Sequence, residues 1–211
     1  MDLKNILKQK VLPAVNIESS EHALPIAEAL LKGGLNVMEI QFRTEHAAQA
    51  IELIRKNYPE MNIGAGTLLS VDQLKNAIKA GAQFGLSPSL NKTICEEAKQ
   101  LNLPFIPGIM TPSEIEFAHE SGCSILKLFP AAQLGGVAFL KAMLGPYEQL
   151  DVQFIPMGGV TINNLKEYVQ MKNVIAVGGS WLVTKELQST KNYIAIYNNV
   201  VAALKLIQEM D

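Results

Sequence analysis

The stretch HALPIAEALLKGG (residues 22–34), followed two residues later by VMEIQF (residues 37–42), decides the fold. Apolar residues in the first stretch recur at three- and four-residue spacing, which is typical of an amphipathic helix. This stretch ends at Gly33-Gly34, a pair that favours a helix C-cap. The second run is short and largely apolar, as expected for a strand of a parallel sheet that is covered on both faces. Together the two runs predict one helix-and-strand unit of an α/β protein.

The same alternation recurs along the chain. Eight strand-like runs are separated by amphipathic stretches, at residues 11–17, 37–42, 62–68, 83–89, 104–110, 125–131, 153–159 and 174–180. Over 211 residues, eight units suit a (β/α)8 barrel near its lower size limit of roughly 200 residues. We therefore predict that residues 1–211 form a single TIM-barrel domain with a short N-terminal helix. A doubly wound open sheet is the competing architecture, although it rarely uses so many regular units.

Composition excludes several classes of function. Charged residues make up 18% of the chain and the formal net charge is −2, which excludes the basic character of a nucleic-acid-binding protein. No run reaches the roughly 18 consecutive apolar residues of a membrane span, and the N-terminus lacks a signal-peptide pattern. Cys95 and Cys123 stand far apart in sequence and outside any metal-binding motif, so we expect no disulfide framework and no metal site. We predict a cytoplasmic protein that binds neither nucleic acid nor membranes.

Polar residues occupy one side of the second predicted strand. Met38 and Ile40 suit the face covered by helices, so Glu39, Gln41 and Arg43 are expected to point into the barrel or its mouth. Burying a carboxylate and a guanidinium costs several kcal/mol unless they pair or serve chemistry. The pattern therefore indicates a functional site, and a purely structural salt bridge is the alternative.

A lysine interrupts the apolar run ILKLFPA (residues 125–131). Lys127 shares its parity with Phe129 and is expected to face inward. Lysine is almost never buried without a partner or a role. Burial among apolar groups favours the neutral amine, and a neutral amine is a nucleophile that forms Schiff bases with carbonyl compounds. A structural ion pair with Glu39 is the alternative.

Glycines end the last two predicted strands. Gly158-Gly159 closes the seventh strand and Gly178-Gly179-Ser180 closes the eighth. In such barrels the loops after these two strands commonly bind phosphate through backbone N–H groups, and glycine lets the backbone approach the anion closely. The pairs predict a phosphate site, although glycine is also common in tight turns.

Two further candidates follow the third and fourth predicted strands. Thr67, after Gly64-Ala65-Gly66, is a candidate hydrogen-bonding partner of a substrate, with an ordinary turn hydroxyl as the alternative. Pro88 is a candidate for shaping the mouth of the barrel, with simple termination of the strand as the alternative.

These residues resemble those of the bacterial KDPG/KHG aldolases, the family of 2-dehydro-3-deoxy-phosphogluconate aldolase and 4-hydroxy-2-oxoglutarate aldolase. The resemblance covers essentially the whole chain. Its most specific elements are KLFPA (residues 127–131), with Gly122 upstream, and GGSWL (residues 178–182). It is also carried by the run from Gly34 through Glu39 to Arg43-Thr44, by GAGT (residues 64–67), by Ser87-Pro88 and by IPG (residues 106–108).

The resemblance implies an enzyme without metal or cofactor, usually a homotrimer of barrels, whose substrate is a small keto-acid phosphate. It implies that Lys127 is the Schiff-base lysine and that Glu39 is the general acid and base. The implied substrate contacts are Arg43 and Thr67 at the pyruvyl carboxylate, Pro88 and Phe129 at the walls, and Gly158, Gly159, Gly179 and Ser180 at the phosphate.

The implied reaction is class I aldol cleavage of the gluconate-derived keto-acid phosphate, with 4-hydroxy-2-oxoglutarate as a second substrate. Two positions depart from the family pattern: Gln41 and Met157 stand where threonine is common. Position 157 lies near the hydroxylated carbons of the substrate, so 2-dehydro-3-deoxy-6-phosphogalactonate is an alternative substrate. Two different functions also fit a barrel of this kind, namely a phosphosugar isomerase or epimerase and a non-enzymatic phosphometabolite-binding protein.

Overall fold

The computed structural model describes residues 2–210 and alternates strands with helices. The strands are β1 (Val11–Val15), β2 (Val37–Gln41), β3 (Asn62–Gly66), β4 (Phe84–Leu86), β5 (Phe105–Ile106), β6 (Gly108–Ile109), β7 (Ile125–Leu128), β8 (Gln153–Pro156) and β9 (Val177–Gly179). The α-helices are α1 (Leu3–Ile6), α2 (Ala23–Lys32), α3 (Ala47–Asn57), α4 (Val71–Ala80), α5 (Lys92–Gln100), α6 (Pro112–Glu120), α7 (Gly136–Leu144), α8 (Leu165–Val169), α9 (Lys185–Ser189) and α10 (Tyr193–Gln208). The predicted α/β class and the short N-terminal helix are confirmed.

The strands pair in parallel in two sheets. A curled six-stranded sheet has the order β5-β4-β3-β2-β1-β9, and a three-stranded sheet has the order β6-β7-β8. The predicted strand at residues 104–110 is split into β5 and β6 at Pro107, because proline has no N–H to donate to a ladder. A single bridge between Phe154 and Val174 extends from β8 toward the segment that leads into β9.

Most of the observed strands end one to three residues earlier than the sequence predicts. At these ends the chain leaves the ladder and turns across the mouth of the sheet. Thr67 has φ of 58° and Gly158 has φ of 87°, values that no strand residue adopts. The residues just after the strands therefore supply loops rather than ladder positions.

Local capping explains where several helices begin and end. The Ser70 side chain accepts a hydrogen bond from the Gln73 backbone N–H at the start of α4, and Gly81 ends this helix at φ of 98°. Thr111 and Glu114 form a capping box at the start of α6. At the end of α2, Gly34 has φ of 94° and so takes the left-handed conformation that glycine allows.

The interior is almost entirely apolar. Among the described residues, the buried polar or charged side chains are His22, Glu39, Ser87, Lys127 and Gln188. Glu39 and Lys127 are the acid and the amine in this set, and they lie on β2 and β7. Within residues 2–210, no helix has both the length and the hydropathy to cross a bilayer.

Candidate active site

A cavity of about 880 Å³ opens where the carboxyl ends of the strands meet. Its lining includes every residue that the sequence predicts for substrate contact, together with the predicted nucleophile: Arg43, Thr67, Pro88, Lys127, Phe129, Gly158, Gly159, Gly179 and Ser180. Gln41 and Met157, the two departures from the family pattern, also line it. The structure thus brings together side chains that come from six different strand ends.

Glu39 lies beneath this lining and contacts Lys127. The distance from Glu39 Oε1 to Lys127 Nζ is 3.6 Å, and the two side chains are 0% and 4% exposed. Neither carboxylate oxygen has a hydrogen-bond partner among the described residues. Buried carboxylate oxygens normally have hydrogen-bond partners, so two unpartnered oxygens beside a buried amine favour a functional site over a purely structural salt bridge. Lys127 Nζ also lies 5.5 Å from the centre of the Phe129 ring.

Gly66 makes room for the Glu39 side chain. Glu39 pairs with Gly64 of β3 in the sheet, and its carboxylate extends along β3 over Gly66. A Cβ added at Gly66 would stand 1.7 Å from Glu39 Oε1, closer than any real contact. The glycines of the GAGT motif therefore leave the space over β3 that the Glu39 carboxylate occupies.

Thr67 is held in a strained backbone conformation. Its φ of 58° is a true outlier for a β-branched residue. The adjacent chain fixes it, because Phe42 N–H donates to the Gly66 carbonyl and Leu68 N–H donates to the Leu86 carbonyl. Strain of this kind clusters at binding and catalytic sites. Thr67 lines the cavity, as Arg43 does.

The loop after β8 offers unpaired backbone donors. Gly158 and Gly159 have φ of 87° and 75°. Their carbonyls accept hydrogen bonds from Ala132 N–H and from the Asn164 amide. Among the described residues no hydrogen bond uses the N–H of either glycine. Successive free N–H groups in a glycine turn can receive an anion.

A polar group at the mouth of the cavity was not predicted from the sequence. Asn16, Glu18, Thr184 and Lys185 also line the cavity. Lys185 Nζ lies 3.2 Å from Glu18 Oε2, and the Asn16 amide donates to Glu18 Oε1 at 2.7 Å. The hydrogen bond from Lys185, followed by that from Asn16, holds the pKa of Glu18 below its usual value. The signal in the sequence was position, since these polar residues lie within six residues of the ends of β1 and β9.

The chain is similar to known proteins over most of its length. The model of the KDPG and KHG aldolase family matches residues 3–199. A 2-dehydro-3-deoxy-phosphogluconate aldolase of Haemophilus influenzae is 40% identical over 206 residues, covering 98% of this chain and 96% of the relative. A KHG/KDPG aldolase of Escherichia coli is 42% identical and covers 87% of this chain and 85% of its own. The KDPG aldolase of Legionella pneumophila, solved with pyruvate captured at low pH as a covalent carbinolamine intermediate, superposes with a TM-score of 0.91 at 35% identity, over 96% of this chain and 98% of that one.

Proposed function

The chain belongs to the KDPG and KHG aldolase family, and from this membership and its cavity we propose a class I aldolase. It cleaves 2-dehydro-3-deoxy-6-phosphogluconate reversibly to pyruvate and glyceraldehyde 3-phosphate. The observation that carries the proposal is the 3.6 Å approach of the buried Lys127 amine to the Glu39 carboxylate, below a cavity that opens to solvent. The carbinolamine captured in the Legionella relative supports amine chemistry on pyruvate.

In the proposed reaction, neutral Lys127 attacks the C2 carbonyl carbon of the keto acid. Loss of water from the carbinolamine gives a protonated imine, which accepts the electron pair released when the C3–C4 bond breaks. Glu39, directly or through one water molecule, removes the proton of the C4 hydroxyl and later returns a proton to C3 of the enamine. Hydrolysis of the imine frees pyruvate and regenerates Lys127.

The remaining lining residues bind the two anionic ends of the substrate. Arg43 offers the planar fork of donors that suits a carboxylate, and the Thr67 hydroxyl adds a further donor. The free N–H groups of Gly158 and Gly159, next to Gly179 and Ser180, suit the phosphate. Pro88 and Phe129 form walls between these ends.

A second substrate is 4-hydroxy-2-oxoglutarate, which would yield pyruvate and glyoxylate. The relative from Escherichia coli is named KHG/KDPG aldolase, after both substrates, and this name supports the second substrate. The galactonate-derived epimer is the alternative phosphorylated substrate, because Met157 brings an apolar side chain to the cavity.

We also propose that the two sheets are arcs of one eight-stranded barrel in a single domain of residues 1–211. β5 and β6 would be halves of one strand, and the Phe154–Val174 bridge would lie at the second junction. We further propose a cytoplasmic homotrimer. The exposed apolar side chains of Leu69 and Met110 support contact between protomers. Light scattering should give a mass near three times the 23.0 kDa of one chain, and a monomer mass would rule the trimer out.

Trapping tests the covalent step. The protein is incubated with pyruvate, reduced with borohydride, digested and analysed by mass spectrometry. We expect the adduct on Lys127 and none in Lys127→Ala. An isomerase or a binding protein would show no adduct, and aldol cleavage by Lys127→Ala at the wild-type rate would overturn the mechanism.

A further inference from the structure

The pairing of β1 with β9 places the Glu18–Lys185 ion pair near Gly179 and Ser180, which are proposed to bind the phosphate. β1 pairs with β9 so that Pro13 lies opposite Gly179. Asn16 and Glu18 follow β1 on the same side, and Lys185 begins the helix that follows Gly179 and Ser180. The ion pair therefore lies beside the end of β9 that carries Gly179, and Glu18 is also within electrostatic reach of Arg43.

The two partners of the pair differ in exposure and in the number of hydrogen bonds that hold them. Glu18 is tied down, because its carboxylate receives the Asn16 amide and its backbone N–H donates to Gln188 Oε1. Gln188 is only 1% exposed and also donates to the Asn16 carbonyl. The Lys185 side chain is 78% exposed and has Glu18 as its ion-pair partner. An exposed pair of this kind contributes little free energy, so Lys185 can exchange its carboxylate for another anion at small cost.

The charges around the cavity indicate that the anion replacing Glu18 is the phosphate group of the substrate. The lining contains three basic residues, Arg43, Lys127 and Lys185, and one acid, Glu18. The proposed reaction uses Lys127 as a neutral amine and Arg43 at the keto-acid end. The glycine loop supplies neutral N–H donors alone, whereas a phosphate dianion carries close to two charges at neutral pH. Lysine is a good point-charge partner for phosphate.

We propose that Lys185 is a substrate-binding residue that leaves Glu18 to bind the distal phosphate of the substrate, and so selects phosphorylated over unphosphorylated keto acids. Glu18 holds the ammonium group at the rim in the empty enzyme and competes with the substrate for it. This inference rests on the proposed function, because it assigns the orientation of the substrate in the same cavity.

A matched control lies next to the pair. Lys191 forms an ion pair with Glu21 at 3.4 Å, between the same two chain segments, but neither residue lines the cavity. Lys185→Gln and Lys191→Gln therefore remove the same charge at similar exposure, one inside the site and one outside it.

Steady-state kinetics of these variants test the proposal on two substrates, the phosphorylated hexonate and its unphosphorylated analogue 2-dehydro-3-deoxygluconate. For Lys185→Gln we expect KM for the phosphorylated substrate to rise about tenfold while kcat changes less than about twofold. The unphosphorylated substrate and the Lys191→Gln enzyme should show no change. An unchanged KM, or an equal loss on both substrates, would overturn the proposal.

Glu18→Gln should have the opposite effect on the binding of the phosphate group. The amide keeps the shape and an acceptor for Asn16 but no longer competes for Lys185, so glycerol 3-phosphate should bind about threefold more tightly by calorimetry. Weaker binding would contradict the competition between Glu18 and the phosphate. This measurement needs no turnover, so it stays informative if wild-type protein fails to trap pyruvate, a result that would overturn the aldolase proposal alone.

Discussion

Glu39 and Lys127 belong to different sheets, and their side chains meet across the interior with 3.6 Å between carboxylate oxygen and amine nitrogen. Both side chains are buried, and neither carboxylate oxygen has a hydrogen bond among the described residues. The contact therefore combines a large desolvation cost with incomplete compensation.

Removing one member of the pair should destabilise the protein more than removing both. We expect Lys127→Met and Glu39→Leu each to cost about 3 kcal/mol or more of unfolding free energy, because each leaves a buried polar group without its partner. The double variant should be more stable than either single variant, as measured by urea unfolding. Strictly additive losses would show that the charges do not interact.

Gly66→Ala should disable the site through sterics alone. The new Cβ would overlap Glu39 Oε1, so the carboxylate must move away from Lys127, and a displacement near 1 Å can cost about 10²-fold in rate. Gly145→Ala is the control, since a Cβ there has nothing within 4 Å and the residue already has right-handed helical angles. Comparison of kcat for the two variants checks this. Full activity in Gly66→Ala would mean that Glu39 is not needed in place.

Thr67→Gly should separate stability from activity. Glycine relieves a left-handed conformation that costs a β-branched residue about 1–2 kcal/mol, offset by the greater entropy of its unfolded chain. We expect a thermal midpoint equal to or above that of the wild type, together with a raised KM for pyruvate in the synthetic direction. Thr67→Ser keeps the hydroxyl and should keep the KM. A clear loss of stability in Thr67→Gly would show that the conformation is not strained.

Met157→Thr should change which epimer is cleaved. Met157 is 2% exposed, and its methyl group fills the space above Gly178, where a Cβ would come within 2.2 Å. A hydroxyl at this position can discriminate between substrate hydroxyls, which an apolar side chain cannot do strongly. We expect the ratio of kcat/KM for the gluconate- and galactonate-derived substrates to shift about tenfold or more toward the gluconate epimer. Met171→Thr makes the same substitution outside the cavity and serves as the control. An unchanged ratio of kcat/KM in Met157→Thr would show that position 157 does not determine which epimer is cleaved.

Cys123 should react faster with iodoacetamide than Cys95. The hydrogen bond between the two thiols, followed by burial, raises the pKa of Cys95, whereas the same bond and the nearby Lys99 ammonium lower the pKa of Cys123 against the effect of burial. Cys123 is also the more accessible of the two. Lys99→Gln should slow its alkylation, and Lys92→Gln, on the same helix, should not. Equal rates at both thiols would contradict this asymmetry.

Much of the site was predictable because it depends on strand parity. Alternation predicted that Glu39 and Gln41 share one face of β2 and that Lys127 points inward from β7. Arg43 and Phe129 lie just beyond these strands and line the same cavity. The cysteine pair was not predictable, because 27 intervening residues separate thiols that α5 and the end of α6 bring together. Asn16, Glu18 and Lys185 were missed for a related reason, since loop residues carry no periodic pattern.

By itself, the sequence determined the α/β class, the order of strands and helices, and the residue types that point inward, because these follow from local periodicity and capping. Only the tertiary structure decided that Glu39 reaches Lys127 over the bare glycine of β3, and that Lys185 pairs with Glu18 at the rim. Distances between side chains on different strands depend on how the sheet curls and where each loop leaves it. Because that geometry depends on the packing of the whole chain, no single stretch of sequence determines it.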